Sequence, residues 1–533
     1  MTALLQTHRR LVWNYALLIA CGVVSVALYS LFEKLRVPVA PNEAAEIMQS
    51  FGVFVALLLV LFIGAALALK SIVRTSSRAF TPSMLAIIGF AIWFRIVLLP
   101  QTPFLSNDIY RYLWDAEVLD RGINPYLYPP AANELSSLHD LEIYGKMSHK
   151  GVHTVYPPVL QGLFWAGIKL AQALAINPIH AVKALWILFD LLLIFVLARL
   201  LAEYQIDSRW AMLYAWHPLA VIEIASSGHP DGVGACFLLA ALFFLKRERY
   251  VYGAMFLALG FLVKFVTILL LPLVFLFSLQ PEQKKYNWSA LAAFLAVLVL
   301  SYFPFMAAGE KLYSGLSVYS AKWRFNDALV SLLFAPLQAL FPDRLVIWLM
   351  IPPSWEITPE TLLSRRIDLV LVLTKAAMAL LFAAIYLRLW HYTKQRAATI
   401  KIIWPQISVV ILTAFFLLSP TFQPWYLLWV LPVLCVTICE ANTSGGTIES
   451  QRSTIRLLDS KSRLTHLESA LLPRFKLYLW ILSGAVFLSY WVLYAYWGEG
   501  IWQEQAWVKW VEYGLPGLVF FLPAKYFRPA RKN

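Results

Sequence analysis

The feature that most constrains this chain is the recurrence of long apolar runs, at residues 11–32, 51–69, 85–99, 290–305, 369–387 and 402–418. A helix needs about 20 mostly apolar residues to cross a hydrocarbon layer of ~30 Å, and several runs reach or approach that length. Inside lipid only helices and closed barrels satisfy every backbone hydrogen bond, and barrel strands would alternate apolar with polar residues. These runs do not alternate. The sequence therefore predicts an all-α, polytopic integral membrane protein of about 13–15 helices. Composition agrees. Of the 533 residues 60% are hydrophobic and only 14% charged, where a soluble domain carries about a quarter charged residues.

The formal net charge of +14 would suit a nucleic-acid partner only if the basic residues formed one patch. They fall instead in short clusters between apolar runs: Arg9-Arg10, residues 70–78, Lys246-Arg247-Glu248-Arg249, Lys284-Lys285, and residues 388–401, 452–476 and 525–532. That is the positive-inside pattern, and it assigns these clusters and both termini to the cytoplasm. Attraction to anionic membrane lipids explains the basic residues, and no nucleic acid is expected. The four cysteines, Cys21, Cys236, Cys435 and Cys439, lie in apolar runs and read as small core residues, so neither disulfides nor zinc are expected. No cofactor is called for, and a divalent metal is not indicated. The first run is too long for a signal-peptide core and lacks a small-residue cleavage site, so it should stay as a membrane helix.

Anchoring the basic clusters inside gives a topology. Residues 1–80 hold two N-terminal helices. A third, near 81–100, leaves the chain outside at Gln101, where residues 101–156 form a long outer loop. Further outer segments are expected at 226–231, around Lys264, and at 307–327, 354–365, 419–424 and 497–505. Residues 441–475, rich in Ser, Thr and Arg, read as a cytoplasmic linker, and 476–533 as C-terminal membrane helices. Residues 157–175 look like a membrane segment, yet a full crossing there would put Lys246–Arg249 outside. A re-entrant or interfacial segment resolves this. Residues 329–350 are interrupted by Pro336 and Pro342 and are similarly ambiguous.

Polar and aromatic clusters gather on the expected outer side. Ser106-Asn107-Asp108-Ile109-Tyr110-Arg111-Tyr112-Leu113-Trp114-Asp115 follows directly on an apolar run. If it is helical, Asp108, Arg111 and Asp115 share a face. Asp108 is then a candidate base or a helix N-cap, and Arg111 a functional cation or the partner of an aspartate. Arg121-Gly122-Ile123-Asn124-Pro125 reads as the helix stop. In Gly228-His229-Pro230-Asp231-Gly232, His229 and Asp231 could meet a sugar, a phosphate or a metal, or form a tight turn with Asp231 as a cap. Two ligands do not make a metal site. Lys264 interrupts an apolar run, which makes it a functional candidate by default, with snorkelling to the interface as the alternative. Lys322, Trp323, Arg324, Asn326 and Asp327 place cations outside, against the charge rule. Arg beside Trp suits phosphate binding with ring stacking, or an interfacial aromatic belt. Trp425, Tyr426 and Trp429 read as membrane anchors or as sugar-stacking faces.

With these motifs in order, residues 85–434 resemble the GT-C glycosyltransferases. They are similar in particular to the polyprenol-phosphate-mannose-dependent mannosyltransferases, the group that includes α-(1→6)-mannopyranosyltransferases. The resemblance rests on Asn107-Asp108-Ile109-Tyr110-Arg111-Tyr112 with Gly122-Ile123-Asn124-Pro125-Tyr126, on Gly228-His229-Pro230-Asp231 and on Leu262-Val263-Lys264. It continues through Trp323-Arg324-Phe325-Asn326 and Pro424-Trp425-Tyr426-Leu427-Leu428-Trp429. Pro230 stands where an HND-like motif would carry Asn. The resemblance implies a GT-C-like catalytic membrane domain over 81–440, an active site outside the cytoplasm, and a polyprenyl-phosphate donor of a hexose, with mannose expected. It also implies an inverting transfer to a glycan or glycolipid acceptor. Asp108 would be the general base, while Arg111, Lys264 and Arg324 would hold the donor phosphate. Tyr110, Asp115, His229, Asp231, Trp323, Asn326, Trp425 and Tyr426 would bind substrate. A bacterial inner membrane with a periplasm-facing site would fit. Competing classes are a transporter or flippase, and a ligase of lipid-linked glycans. A transporter should show paired broken helices in two matching halves, and no such repeat is visible. A ligase shares the cationic outer cavity and differs in its longer glycan donor.

Overall fold

A computed structural model describes residues 2–35, 44–73, 80–277, 288–395, 400–439, 463–499 and 502–523. Basic clusters Lys284-Lys285 and 525–532, and 441–462 of the expected linker, lie outside the described residues. The helix Arg463–Ala485 begins within the stretch read as linker.

The fold is all-α. Among the described residues the only strand-like pairing is an isolated parallel bridge between Phe325 and Thr421. Among the described residues six helices are long and apolar enough to cross a membrane: Val12–Leu31, Gln49–Leu69, Pro178–Glu203, Trp288–Lys322, Pro359–Lys394 and Leu471–Tyr496. The apolar runs behind the expected 13–15 spans otherwise appear as shorter or broken helices. Leu329–Leu340 and Asp343–Met350 are bent by 101° at Phe341-Pro342, where proline cannot donate its backbone N–H. Pro82–Leu98, Tyr250–Phe261, Phe265–Val274 and Trp404–Leu417 are apolar helices of 10–17 residues. This is an integral membrane protein.

The helix Pro158–Leu174 settles into neither group. It buries Leu160, Gln161, Phe164, Ile168 and Ala171 along one stripe and exposes Trp165 on the other. That stripe packs against Asp108–Asp120 on one side and Pro178–Glu203 on the other. Trp165 and Gln172 donate to Asp120 across the helix pair.

Lipid tails give little apolar driving force between helices, so close packing and internal polar bonds must hold them. Arg95 is fully buried, ion-paired with Asp190, and donates to the carbonyls of Ala91 and Ala215; Tyr214 also donates to Asp190 at 2.6 Å. Lys183 donates to the carbonyls of Leu98 (2.9 Å) and Gln101 (2.7 Å). Together they lock the exit of the Phe80–Leu98 helix, and so the root of the loop that carries Asp108, onto Pro178–Glu203. The terminal helices meet each other: Phe51 lies against Trp491 and Tyr494, Phe54 against Phe487, and Phe62 against Trp480.

Candidate active site

Asp108 opens a helix, Asp108–Asp120, that ends at Gly122 with φ +75°. Only glycine takes that conformation without strain. The start and stop are those read from the sequence. Asn107 gives no side-chain cap; its amide donates to Ser148 Oγ at 2.7 Å instead. Arg111 Nε meets Asp115 Oδ1 at 2.9 Å and Arg111 Nη1 donates to the Val152 carbonyl at 3.0 Å. Thr154 and Gln161 donate to the other oxygen of Asp115. Asp115 is therefore saturated by protein partners and serves to fasten helix to loop. Tyr110 faces the same loop, with the Lys146 ammonium 5.5 Å from its ring centroid.

Four later segments converge on this helix. Gly228, at φ +77°, leaves no room for a Cβ, which would come within 2.8 Å of Ile109. The turn after it sets His229 and Asp231 beside the Asp108 helix. Asp231 does not cap its own helix. Its Oδ1 accepts from Lys264 Nζ and from Trp429 Nε1, both at 2.8 Å. Lys264 lies 3.9 Å over the Tyr426 ring, and Tyr426 shares a 2.6 Å hydroxyl contact with Tyr319. Tyr319 leads to Trp323 at 5.2 Å, and Trp323 to His149 at 4.7 Å. His229 stacks on Trp425 with centroids 3.6 Å apart. Phe325 and Phe422 tie the two last segments together through backbone bonds.

The electrostatics single out Asp108. It keeps partial contact with solvent yet is closely surrounded by protein, as a carboxyl on the floor of a cleft would be. Desolvation pushes its carboxyl up to about 6; Lys264 opposes the rise, Asp231 adds to it, and Arg111 opposes it. His229 is held well below its ordinary value by burial and by Lys264, so its ring is neutral. Arg111 Nη2 is buried without a hydrogen-bond partner, an unused donor in the same helix as Asp108.

The geometry thus brings together Asp108, Arg111, His229, Asp231, Lys264, Trp425 and Tyr426, with Trp323 at the edge. It does not bring Arg324 or Asn326 to that group. Arg324 pairs with Asp327 at 2.7 Å and stacks on Phe334, and Asn326 donates to buried Glu512. Asp327 also meets Lys509, and although burial raises its carboxyl, Arg324 and Lys509 hold it low. The sequence assigns no separate role to Tyr112, Tyr319 and Glu223. Tyr112 sits inside a quoted motif and Tyr319 one helical turn before Trp323, while Glu223 had the signal of an acid in an apolar run.

Residues 14–280, half of the chain, match the family model described as alpha-(1->6)-mannopyranosyltransferase, N-terminal domain. The chain belongs to this family. It is a glycosyltransferase. A relative, alpha-(1->6)-mannopyranosyltransferase A of Mycobacterium tuberculosis (strain ATCC 25618 / H37Rv), is 21% identical over 422 residues, covering 76% of this chain and 73% of the relative. No solved structure matches. The family match covers Asp108, Arg111, His229, Asp231 and Lys264, whereas Trp425, Tyr426 and Trp429 lie beyond it.

Proposed function

We propose that the protein transfers mannose from a polyprenyl-phosphate donor to a hydroxyl of a glycan or glycolipid, with inversion, on the non-cytoplasmic side of a bacterial inner membrane. The observation that carries this reading is Asp108, a carboxyl raised to about 6, set beside the Asp231–Lys264 ion pair whose charges act on it. A base poised near working pH removes the acceptor proton best. Asp108 takes that proton as the hydroxyl oxygen attacks the anomeric carbon, and the bond from that carbon to the phosphate oxygen breaks with its electron pair leaving on phosphate. Phosphate is stable as an anion, so no second carboxylic acid is needed, unlike glycoside hydrolysis. Asp231 and the Tyr426 ring hold the Lys264 ammonium, which stabilises the departing charge together with the free donor of Arg111. The neighbouring faces of Trp425 and Tyr426 suit sugar stacking. The basic clusters between spans support the orientation.

The test is sugar transfer by purified protein and Asp108→Asn, using polyprenyl-phosphate mannose and a panel of glycan and glycolipid acceptors. Transfer by the wild type and a loss of about 10²–10⁴-fold in an equally stable variant is expected. Equal rates would remove Asp108 from the mechanism. No transfer from mannose, but transfer from another prenyl-phosphate sugar, would replace the donor and leave the mechanism.

A further inference from the structure

We propose that Glu223, clamped by Tyr490 of the C-terminal helices, is a positioning residue that fixes the tautomer and ring plane of His229. Only the kinetic arm of its test rests on the mannosyl-transfer reading. Glu223 lies in Ile222–Ser226, where the helix widens into a π-type turn, a feature frequent at functional sites. Its side chain is wholly buried. Tyr490 donates to Oε1 at 2.7 Å, while Oε2 has no hydrogen-bond partner. His229 Nε2 lies 3.7 Å from that oxygen and is equally without one. The backbone ties the pair, since His229 N–H donates to the Glu223 carbonyl at 2.9 Å. On the other side of the ring, His229 Nδ1 stands 3.5 Å from the Tyr112 hydroxyl, and Tyr112 lies one turn along the helix from Asp108, stacked on Phe164.

Two buried, orphaned polar atoms this close cost more apart than together. A shift of a few tenths of an ångström makes the bond, and active-site bonds tighten in this way when substrate arrives. An ion pair here would bury two charges beside Lys264, and an ionised Glu223 alone would bury one. The uncharged arrangement gives Tyr490, Glu223 and His229 a partner each, and the Ser227 hydroxyl beside the same carboxyl can donate to it as well. Tyr490 donates to Oε1, the protonated Oε2 donates to Nε2, and Nδ1–H donates to the Tyr112 oxygen. Tyr112 must then direct its own proton away from His229, toward the Tyr156 hydroxyl, which Asp108 also faces, and so the order set at His229 passes to the edge of the cleft. The family match ends at residue 280, so this role gives the C-terminal helices a part in the site.

The experiment compares Glu223→Gln, Glu223→Leu and Tyr490→Phe, each in the wild-type and His229→Ala backgrounds, by kcat, KM and melting temperature. A glutamine amide can donate to Nε2 and accept from Tyr490, so Glu223→Gln should keep kcat/KM within about threefold. Glu223→Leu should lose about 10–100-fold, the scale on which partners that orient a histidine act. In His229→Ala none of the three should lower kcat/KM further, even where melting shifts persist. Equal losses in both backgrounds would overturn the proposal, because a merely structural residue acts regardless of His229. If Glu223→Leu does not fold, Tyr490→Phe decides: a loss confined to the wild-type background supports the proposal, and any other pattern sinks it. Nitrogen-15 spectra of histidine-labelled protein need no substrate. His229, identified by its absence in His229→Ala, should carry its proton on Nδ1 in wild type and Glu223→Gln, and exchange between tautomers in Glu223→Leu. An unaltered spectrum in Glu223→Leu would refute the positioning role. A wild type that transfers no sugar would instead fail the proposed function and leave the spectra to judge this one.

Discussion

At the scale of residues, Asp108 opposes chemistry to stability. A base whose proton leaves near pH 6 predicts that kcat/KM rises with pH and levels off above an acid limb at about 6. Lys264 lowers that value, so Lys264→Met should move the limb upward as well as slow transfer; a limb near 4 in both proteins would mean that Asp108 is not the desolvated base. The same rise bears on stability. Asp108 binds its proton more tightly folded than unfolded, so its ionised form destabilises the fold above about pH 6, and this cost vanishes as pH falls toward 3.8. A rise from 3.8 to about 6 corresponds to roughly 3 kcal/mol at most, less whatever solvent screens at the accessible edge of the carboxyl. Asp108→Asn should therefore melt higher than wild type at pH 8, with the gain fading by pH 4, as thermal melts in detergent would record. Asp108, His229, Asp231 and Lys264 were legible in the sequence because ionisable groups beside apolar runs demand a reason. Arg324 misled for the opposite cause: its partner Asp327 was in view, but its geometry was not.

At the scale of elements, the helix Asp108–Asp120 announces its ends through Asp108 and the Arg121-Gly122 stop. What no local pattern could reveal is which helix faces press together. Gly234 illustrates this. It reads as an ordinary weak point in an apolar helix, yet a Cβ there would stand 2.0 Å from the Trp429 indole. Trp429 is fully buried and rigid and carries one of the two bonds to Asp231, so it cannot yield cheaply. Gly234→Ala should displace it, cost about 1–3 kcal/mol by overpacking, and loosen Asp231 and Lys264. Gly232→Ala has its one close contact, 2.7 Å, with the flexible tip of Ile224, and Gly89→Ala meets nothing within 4 Å, which makes them graded controls. Kinetics and melts of the three should rank Gly234→Ala worst in both; equal behaviour would show that Trp429 has room to move. The Arg95–Asp190 pair was invisible for a related reason. Its members are 95 residues apart, each looking like an isolated charge in an apolar run.

At the scale of the whole molecule, the site is assembled from chain ends that no single stretch contains. Asp108 and Lys264 lie in the part the family model covers, Trp425 and Trp429 lie well beyond it, and Tyr490 comes from a segment that the resemblance left without any role. The terminal helices also seal the bundle, since Phe51, Phe54 and Phe62 would lose Trp491, Tyr494, Phe487 and Trp480 without them. Buried Glu223 would lose its Tyr490 hydroxyl, and Asn326 its bond to Glu512. An unpaired buried polar group costs about 1–3 kcal/mol, and each aromatic contact adds to that. A piece ending at residue 439 keeps Asp108, Arg111, Asp231, Lys264, Trp425 and Tyr426, every group assigned to the chemistry. It should nonetheless melt well below the full chain and transfer little or no sugar when both are purified in the same detergent and assayed side by side. If the piece stays monodisperse and transfers at the full rate, the C-terminal helices are dispensable to the site, and the resemblance was right to end where it did.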